Sequence, residues 1–220
     1  SLLGAELDEP CITEESRRLD FTNEGGVGGK IRFLKNIFGL WLVQECRRTW
    51  EREGQSVDYA ALTDEAEAAP AFAAIINVDD PRLLAPENMP ATIQALCRES
   101  RQPVPQTRGE IVRCALESLA LKYRQTLRGL DATLNRKTER LHIIGGGVQN
   151  RLLCRMTADA CGVPVVAGPI EATALGNIGV QAMATGALDS LEAMRRVIAD
   201  SVTLDTYQPE ETTAWERLDS

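Results

Sequence analysis

Short apolar runs alternate with helical patterns between Leu141 and Gly186. The first apolar run stops at three consecutive glycines, and the helical pattern after it stops at Gly162. The order strand, loop, helix, strand, loop, helix predicts a parallel α/β layer. The predicted strands of this layer are Leu141–Ile144 and Val163–Ala167, and its predicted helices are Asn150–Gly162 and Glu171–Thr185.

Apolar positions at helical spacing predict most of the other elements. Ile31 to Glu53 is predicted to be one long helix with a broad apolar face. A strong helix from Thr107 to Leu127 is expected to end at Gly129, whereas Ile75–Val78 is strand-like or extended. Residues 1–22 predict a strand followed by a polar loop, and residues 202–208 predict an extended segment. The further predicted helices are Ser56–Ala69, Ala91–Glu99, Leu191–Ile198 and Glu210–Leu218.

The triplet Gly145–Gly147 is the first candidate for chemistry. A strand delivers the chain to a turn without side chains, and the next helix begins with unpaired N–H groups and a positive dipole end. Such a turn can hold a phosphate or a flat nucleotide base, and the alternative is a tight turn that binds nothing. The dinucleotide fingerprint is not met, because Asn150 occupies its last glycine position. A P-loop at Gly29-Lys30 fails because Ile31 follows it.

Two neutral amides, Asn36 and Gln44, interrupt the apolar face of the predicted long helix. Their spacing of eight residues would place them near one another in azimuth and about 12 Å apart along the helix axis. An amide offers two donors and an acceptor, which suits a sugar hydroxyl or the edge of a nucleotide. The residues alone favour the alternative of two solvent-facing amides.

The chain has 220 residues, enough for one large domain or one and a half small ones. Its net charge is −8. The acidic balance argues against nucleic acid or an anionic membrane as the main partner, and no window approaches about 18 uninterrupted apolar residues. The start has neither a signal peptide nor an initiator Met, and it begins with Leu2 and Leu3 as if in mid-strand. We therefore expect a fragment of a longer protein.

Six cysteines and one histidine, without a C-x-x-C motif, argue against a structural zinc site. Cys97 and Cys114 flank a proline-rich turn and could meet, although free thiols in a reducing cytoplasm are the favoured interpretation. His142 is expected to be structural. For Asp79 and Asp80, a cap and turn role is favoured over acid–base or metal chemistry.

The chain resembles the C-terminal domain of the FGGY carbohydrate kinases along nearly all of its length. The glycine triplet is weakly specific, whereas the segment Arg32–Glu45 and the loop Asp79–Pro90 together point to the rhamnulose branch of that family. The segments that carry the resemblance are Thr22–Gly26, Arg32–Glu45, Asp79–Pro90, Ile143–Asn150 and Gly168–Leu188.

The resemblance implies an α/β fold of two ribonuclease-H-like domains, of the actin-like ATPase type, with a cleft between them. Residues 1–220 would be the C-terminal domain, without its first strands and without the whole N-terminal domain. ATP would lie against this domain and the sugar deep in the cleft. The catalytic aspartate and a glycine-threonine phosphate turn would lie ahead of Ser1, so no catalytic base is expected in this chain.

The same resemblance assigns roles to individual residues. Asn36 is similar to a residue that hydrogen-bonds the sugar, and Gln44 to an ATP contact. Gly146 is similar to an ATP contact in the glycine turn, with Gly145, Gly147 and Asn150 around it. No residue of this chain matches a metal ligand.

The implied reaction moves the γ-phosphoryl group of ATP to the 1-hydroxyl of L-rhamnulose with the help of Mg²⁺ in the cytoplasm. The isolated chain is expected to be inactive, and neither nucleic acid nor a membrane is expected as a partner. Two alternatives remain: a kinase for a related deoxyketose such as L-fuculose, or a non-catalytic actin-like domain that binds nucleotide.

Overall fold

The N-terminal part of the chain forms an antiparallel sheet of three strands. The structure, a computed structural model, describes residues 1–219. Strand β3 lies between the other two, and its register with β1 runs from Leu2 opposite Asn36 to Leu7 opposite Ile31. The strands are β1 (Leu2–Leu7), β2 (Thr22–Gly25) and β3 (Ile31–Asn36).

The prediction of one long helix from Ile31 to Glu53 is wrong. Residues 31–36 are the central strand β3, and the helix α2 spans Trp41–Arg52. Phe33 and Leu34 are both buried although they face opposite sides of the strand, so apolar and polar residues do not alternate along the segment. Because such a run cannot be distinguished from a buried helix by periodicity, the pattern was ambiguous. Asn36 and Gln44 therefore do not share a helix.

The long helix α5 organises the core of this part of the chain. It begins with a capping box of Thr107 and Glu110 and ends at Asn135, whose left-handed backbone closes it. Gly129 does not end it, contrary to prediction, because Leu19 packs on this glycine inside the helix, where an added Cβ would lie 3.1 Å from a Leu19 methyl group. The helices of this part are α1 (Glu14–Arg18), α2 (Trp41–Arg52), α3 (Tyr59–Ala68), α4 (Met89–Glu99) and α5 (Arg108–Leu134).

The C-terminal part confirms the predicted α/β layer. Strands β4 and β5 pair in parallel, and β6 adds to β5 in the antiparallel sense. The strands are β4 (Leu141–Ile143), β5 (Val165–Ala167) and β6 (Asp205–Tyr207). The helices are α6 (Arg151–Cys161), α7 (Ala172–Ala184), α8 (Leu191–Ser201) and α9 (Thr212–Glu216).

Ile75–Val78 forms no strand, because its backbone is bonded to side chains. The Ile75 N–H donates to Gln102 Oε1 at 2.8 Å, and the Ile76 N–H donates to Ser118 Oγ at 2.9 Å. The next turn confirms the predicted cap role of Asp80, whose carboxylate accepts the Arg82 N–H at 3.0 Å.

The cysteines are free thiols. Cys97 and Cys114 do meet, as their spacing suggested, with the sulfur atoms 3.9 Å apart between α4 and α5. Among residues 1–219, no helix is both long and apolar enough to cross a membrane.

Candidate functional site

The glycine turn lies between β4 and α6. Gly145 has a φ of 76°, which glycine adopts without the strain that a side chain would bring. A short 3₁₀ turn follows over Gly145–Gln149. Gly146 is exposed, and a Cβ placed on it would meet no atom within 4 Å. The backbone at Gly146 is therefore open to a ligand.

The edges of the turn are held by hydrogen bonds. The Gly145 N–H donates to the Pro169 carbonyl at 3.0 Å, and the Gly168 N–H donates to the Ile143 carbonyl at 2.8 Å. Beneath the turn, the buried Cys154 sulfur lies 3.9 Å from the carbonyl oxygens of Gly147 and Val148. Burial raises the pKa of the Cys154 thiol to about 11, so at neutral pH it keeps the proton that it donates.

Asn150 lies under the turn rather than at its surface. Its side-chain oxygen accepts the Leu153 N–H at 2.8 Å and so caps α6. Its side-chain nitrogen donates to Thr63 Oγ1 of α3 at 3.4 Å. Asn150 is 8% exposed. Both ends of its amide are thus bonded within the protein.

Asn36 and Gln44 lie on different elements. Asn36 is the exposed last residue of β3, and Gln44 is a partly buried residue near the start of α2. Within the part of the chain that the structure describes, neither amide side chain makes a hydrogen bond. Both amides retain their donors and acceptors for a ligand.

Neither of two cavities on the chain includes these residues. A surface groove of about 560 Å³ is lined by α2 residues and Pro86, and a cavity of about 270 Å³ lies beside Cys114 and Glu117. No cluster of three or more His, Cys, Asp or Glu side chains that could hold a metal ion occurs among residues 1–219.

Residues 1–185 match the C-terminal domain of the FGGY family of carbohydrate kinases. The chain belongs to this family. It is also similar to a rhamnulokinase from Bacteroides thetaiotaomicron, with 49% identity over 216 residues. The match covers 98% of this chain and 44% of that relative, so the chain spans less than half of its length.

Solved FGGY-type sugar kinases have the same fold. A ligand-bound xylulose kinase from Lactobacillus acidophilus matches with a TM-score of 0.64 and 16% identity, over 99% of this chain and 43% of its own. A glycerol kinase from Plasmodium falciparum, solved with ADP, matches with a TM-score of 0.56 and 15% identity, over 86% and 37% of the two chains. The predicted actin-like α/β fold is confirmed.

Two residues behind the glycine turn were not found from the sequence. Cys154 was interpreted as a buried free thiol, but it also supports the turn from below. Thr63 gave no signal, because it is separated from Asn150 by 87 positions and its helix was predicted without a partner. A pattern of spacing along the chain cannot reveal a contact of this range.

Proposed function

We propose that this chain is the nucleotide-holding part of a rhamnulokinase, which transfers the γ-phosphoryl group of ATP to the 1-hydroxyl of L-rhamnulose. The observation that carries the proposal is the open glycine turn at the start of α6, where Gly146 has no neighbour that would block a ligand. The identity of 49% to a rhamnulokinase supports rhamnulose as the sugar.

We assign three contacts within this function. Gly146 lets the nucleotide approach the main chain, with Gly145 and Gly147 shaping the turn around it. Gln44 hydrogen-bonds the nucleotide from α2. Asn36 hydrogen-bonds the sugar from the end of β3. The unbonded amides of Asn36 and Gln44 are suited to these roles, because a ligand can use their donors and acceptors without breaking a protein hydrogen bond.

The rest of the reaction requires residues from outside this chain. Phosphoryl transfer needs a base aligned on the attacking hydroxyl, and we place that base in an N-terminal domain of the longer polypeptide. Mg²⁺ would arrive with the nucleotide and neutralise charge on its phosphates. Closure of the two domains would exclude water, so that ATP is not hydrolysed instead.

The N-terminal domain would also cover surface that this chain leaves open. Helix α7 has no charged side chain, yet Ile178 and Val180 on it are 64% and 39% exposed. An uncharged helix that leaves large apolar side chains exposed is typical of a contact surface. We place the enzyme in the cytoplasm, where free thiols such as Cys97 and Cys114 persist.

Steady-state kinetics of single variants of the full-length enzyme tests these roles. Gln44→Ala and Gly146→Val should raise the KM for ATP about 3- to 10-fold with a smaller change for the sugar, because each affects a contact to the nucleotide. Asn36→Ala should do the reverse. Gly25→Val is the matched control for Gly146→Val, since an added Cβ at Gly25 also meets no atom within 4 Å. Equal effects on both KM values would refute the assignment.

A further inference from the structure

The segment of residues 57–68, in which helix α3 begins at Tyr59, contacts both elements that carry the proposed nucleotide contacts. At its N-terminal end it is contacted by Arg47, which lies on α2 one turn after Gln44. The Arg47 Nε donates to the Val57 carbonyl at 2.7 Å, and the guanidinium lies 4.7 Å from the centre of the Tyr59 ring. One turn further along α3, Thr63 meets Asn150 behind the glycine turn.

The direction of the hydrogen bonds at Thr63 is determined by its single proton. Thr63 Oγ1 donates to the Tyr59 carbonyl at 2.8 Å, so its lone pairs are left to accept from the Asn150 amide nitrogen. That bond turns the Asn150 oxygen toward the Leu153 N–H, as the cap of α6 requires. Thr63 therefore sets the orientation of the amide that holds the end of the glycine turn.

Other bonds between α3 and α6 are exposed. Arg151 pairs with Asp64 at 2.7 Å, and Arg155 pairs with Glu67 at 2.6 Å. Exposed ion pairs contribute little and hold their partners loosely. Thr63 and Asn150 are 7% and 8% exposed, so their bond of 3.4 Å is shielded from water.

We propose that Thr63 is a positioning residue of the nucleotide site. Acting through Asn150, it holds the glycine turn, and α3 links that turn to the helix that carries Gln44. The two nucleotide contacts are thereby held at a set distance from one another. This inference rests on the proposed function, because it assumes that Gln44 and Gly146 contact the nucleotide.

The test is the kinetics of Thr63→Val in the full-length enzyme. Valine keeps the shape of the side chain and removes the hydroxyl, so the KM for ATP should rise about 3- to 10-fold while the KM for the sugar changes less than about twofold. Thr63→Ser, which retains the hydroxyl, should restore the KM for ATP. If Thr63→Val does not fold, Thr63→Ala provides the same comparison, with thermal unfolding measured in parallel.

Thr126→Val is the matched control. Thr126 is buried on α5 and donates to the carbonyl four residues earlier, at 2.9 Å, as Thr63 does. It should leave both KM values unchanged. A normal KM for ATP in Thr63→Val, or an equal shift in Thr126→Val, would overturn the inference. If Gln44→Ala and Gly146→Val also leave the KM for ATP unchanged, the proposed nucleotide site itself is wrong.

Discussion

Helices α5 and α7 both carry many apolar side chains, yet the chain buries these helices to very different degrees. In α5, 16 of 27 residues are buried among the first sheet and its helices. In α7, Gly179 alone among 13 residues is buried, where it packs so closely on α8 that an added Cβ would lie 2.3 Å from the Met194 sulfur. Apolar side chains on a helix therefore do not by themselves decide its burial, which depends on which partners are present.

Truncating one large apolar side chain in each helix should give the largest difference in the free energy of unfolding. In the 220-residue chain, Leu116→Ala in α5 should lower the free energy of unfolding by about 2–5 kcal/mol, because Leu116 is fully buried. Ile178→Ala in α7 should lower it by less than about 0.5 kcal/mol, because Ile178 is 64% exposed. Guanidinium unfolding measures both values. A loss in Ile178→Ala as large as that in Leu116→Ala would show that the chain does cover α7.

A smaller effect is expected in the pH dependence of stability, and it comes from a carboxylate on α5 that is buried in the core. Glu117 is 1% exposed, pairs with Arg113 at 2.8 Å and accepts the Phe72 N–H at 2.9 Å. Burial raises its pKa above the ordinary value of 4.5 despite the arginine. Its contribution to stability is therefore greatest below pH 4.5 and declines as the pH rises through the raised pKa. The stability advantage of wild type over Glu117→Gln should shrink between pH 4 and pH 7.

Glu110→Gln on the same helix is the control with the opposite sign. The backbone N–H groups of Gln106 and Thr107 lower the pKa of Glu110 below 4.5. Its contribution is present above pH 4.5 and is lost as the pH falls through the lowered pKa. The advantage of wild type over Glu110→Gln should therefore widen from pH 4 to pH 7. Urea unfolding between pH 4 and pH 7 measures how the stability difference between wild type and each variant changes with pH. If the difference for Glu117→Gln widens as the pH rises, Arg113 lowers the pKa of Glu117 by more than burial raises it.

Elements with local stop and start signals could be predicted from the sequence. Helix α6 is the best example, because Asn150 caps its start and Gly162, with a φ of 67°, closes its end. The prediction for β3 failed because its two buried residues, Phe33 and Leu34, are adjacent, so the strand has no alternation to separate it from a helix. Residue patterns identified the glycine turn as a candidate site, whereas its support by Thr63 depends on tertiary packing that spacing does not encode.

We propose that this chain holds the nucleotide but does not supply the base. Calorimetric titration of the 220-residue chain with ADP, together with an assay for phosphorylation of L-rhamnulose by ATP, tests it most directly. We predict weak ADP binding that Gly146→Val weakens by about 3- to 10-fold, and no phosphate transfer. Phosphorylation of rhamnulose by the 220-residue chain alone would contradict the claim, as would ADP binding that Gly146→Val leaves unchanged.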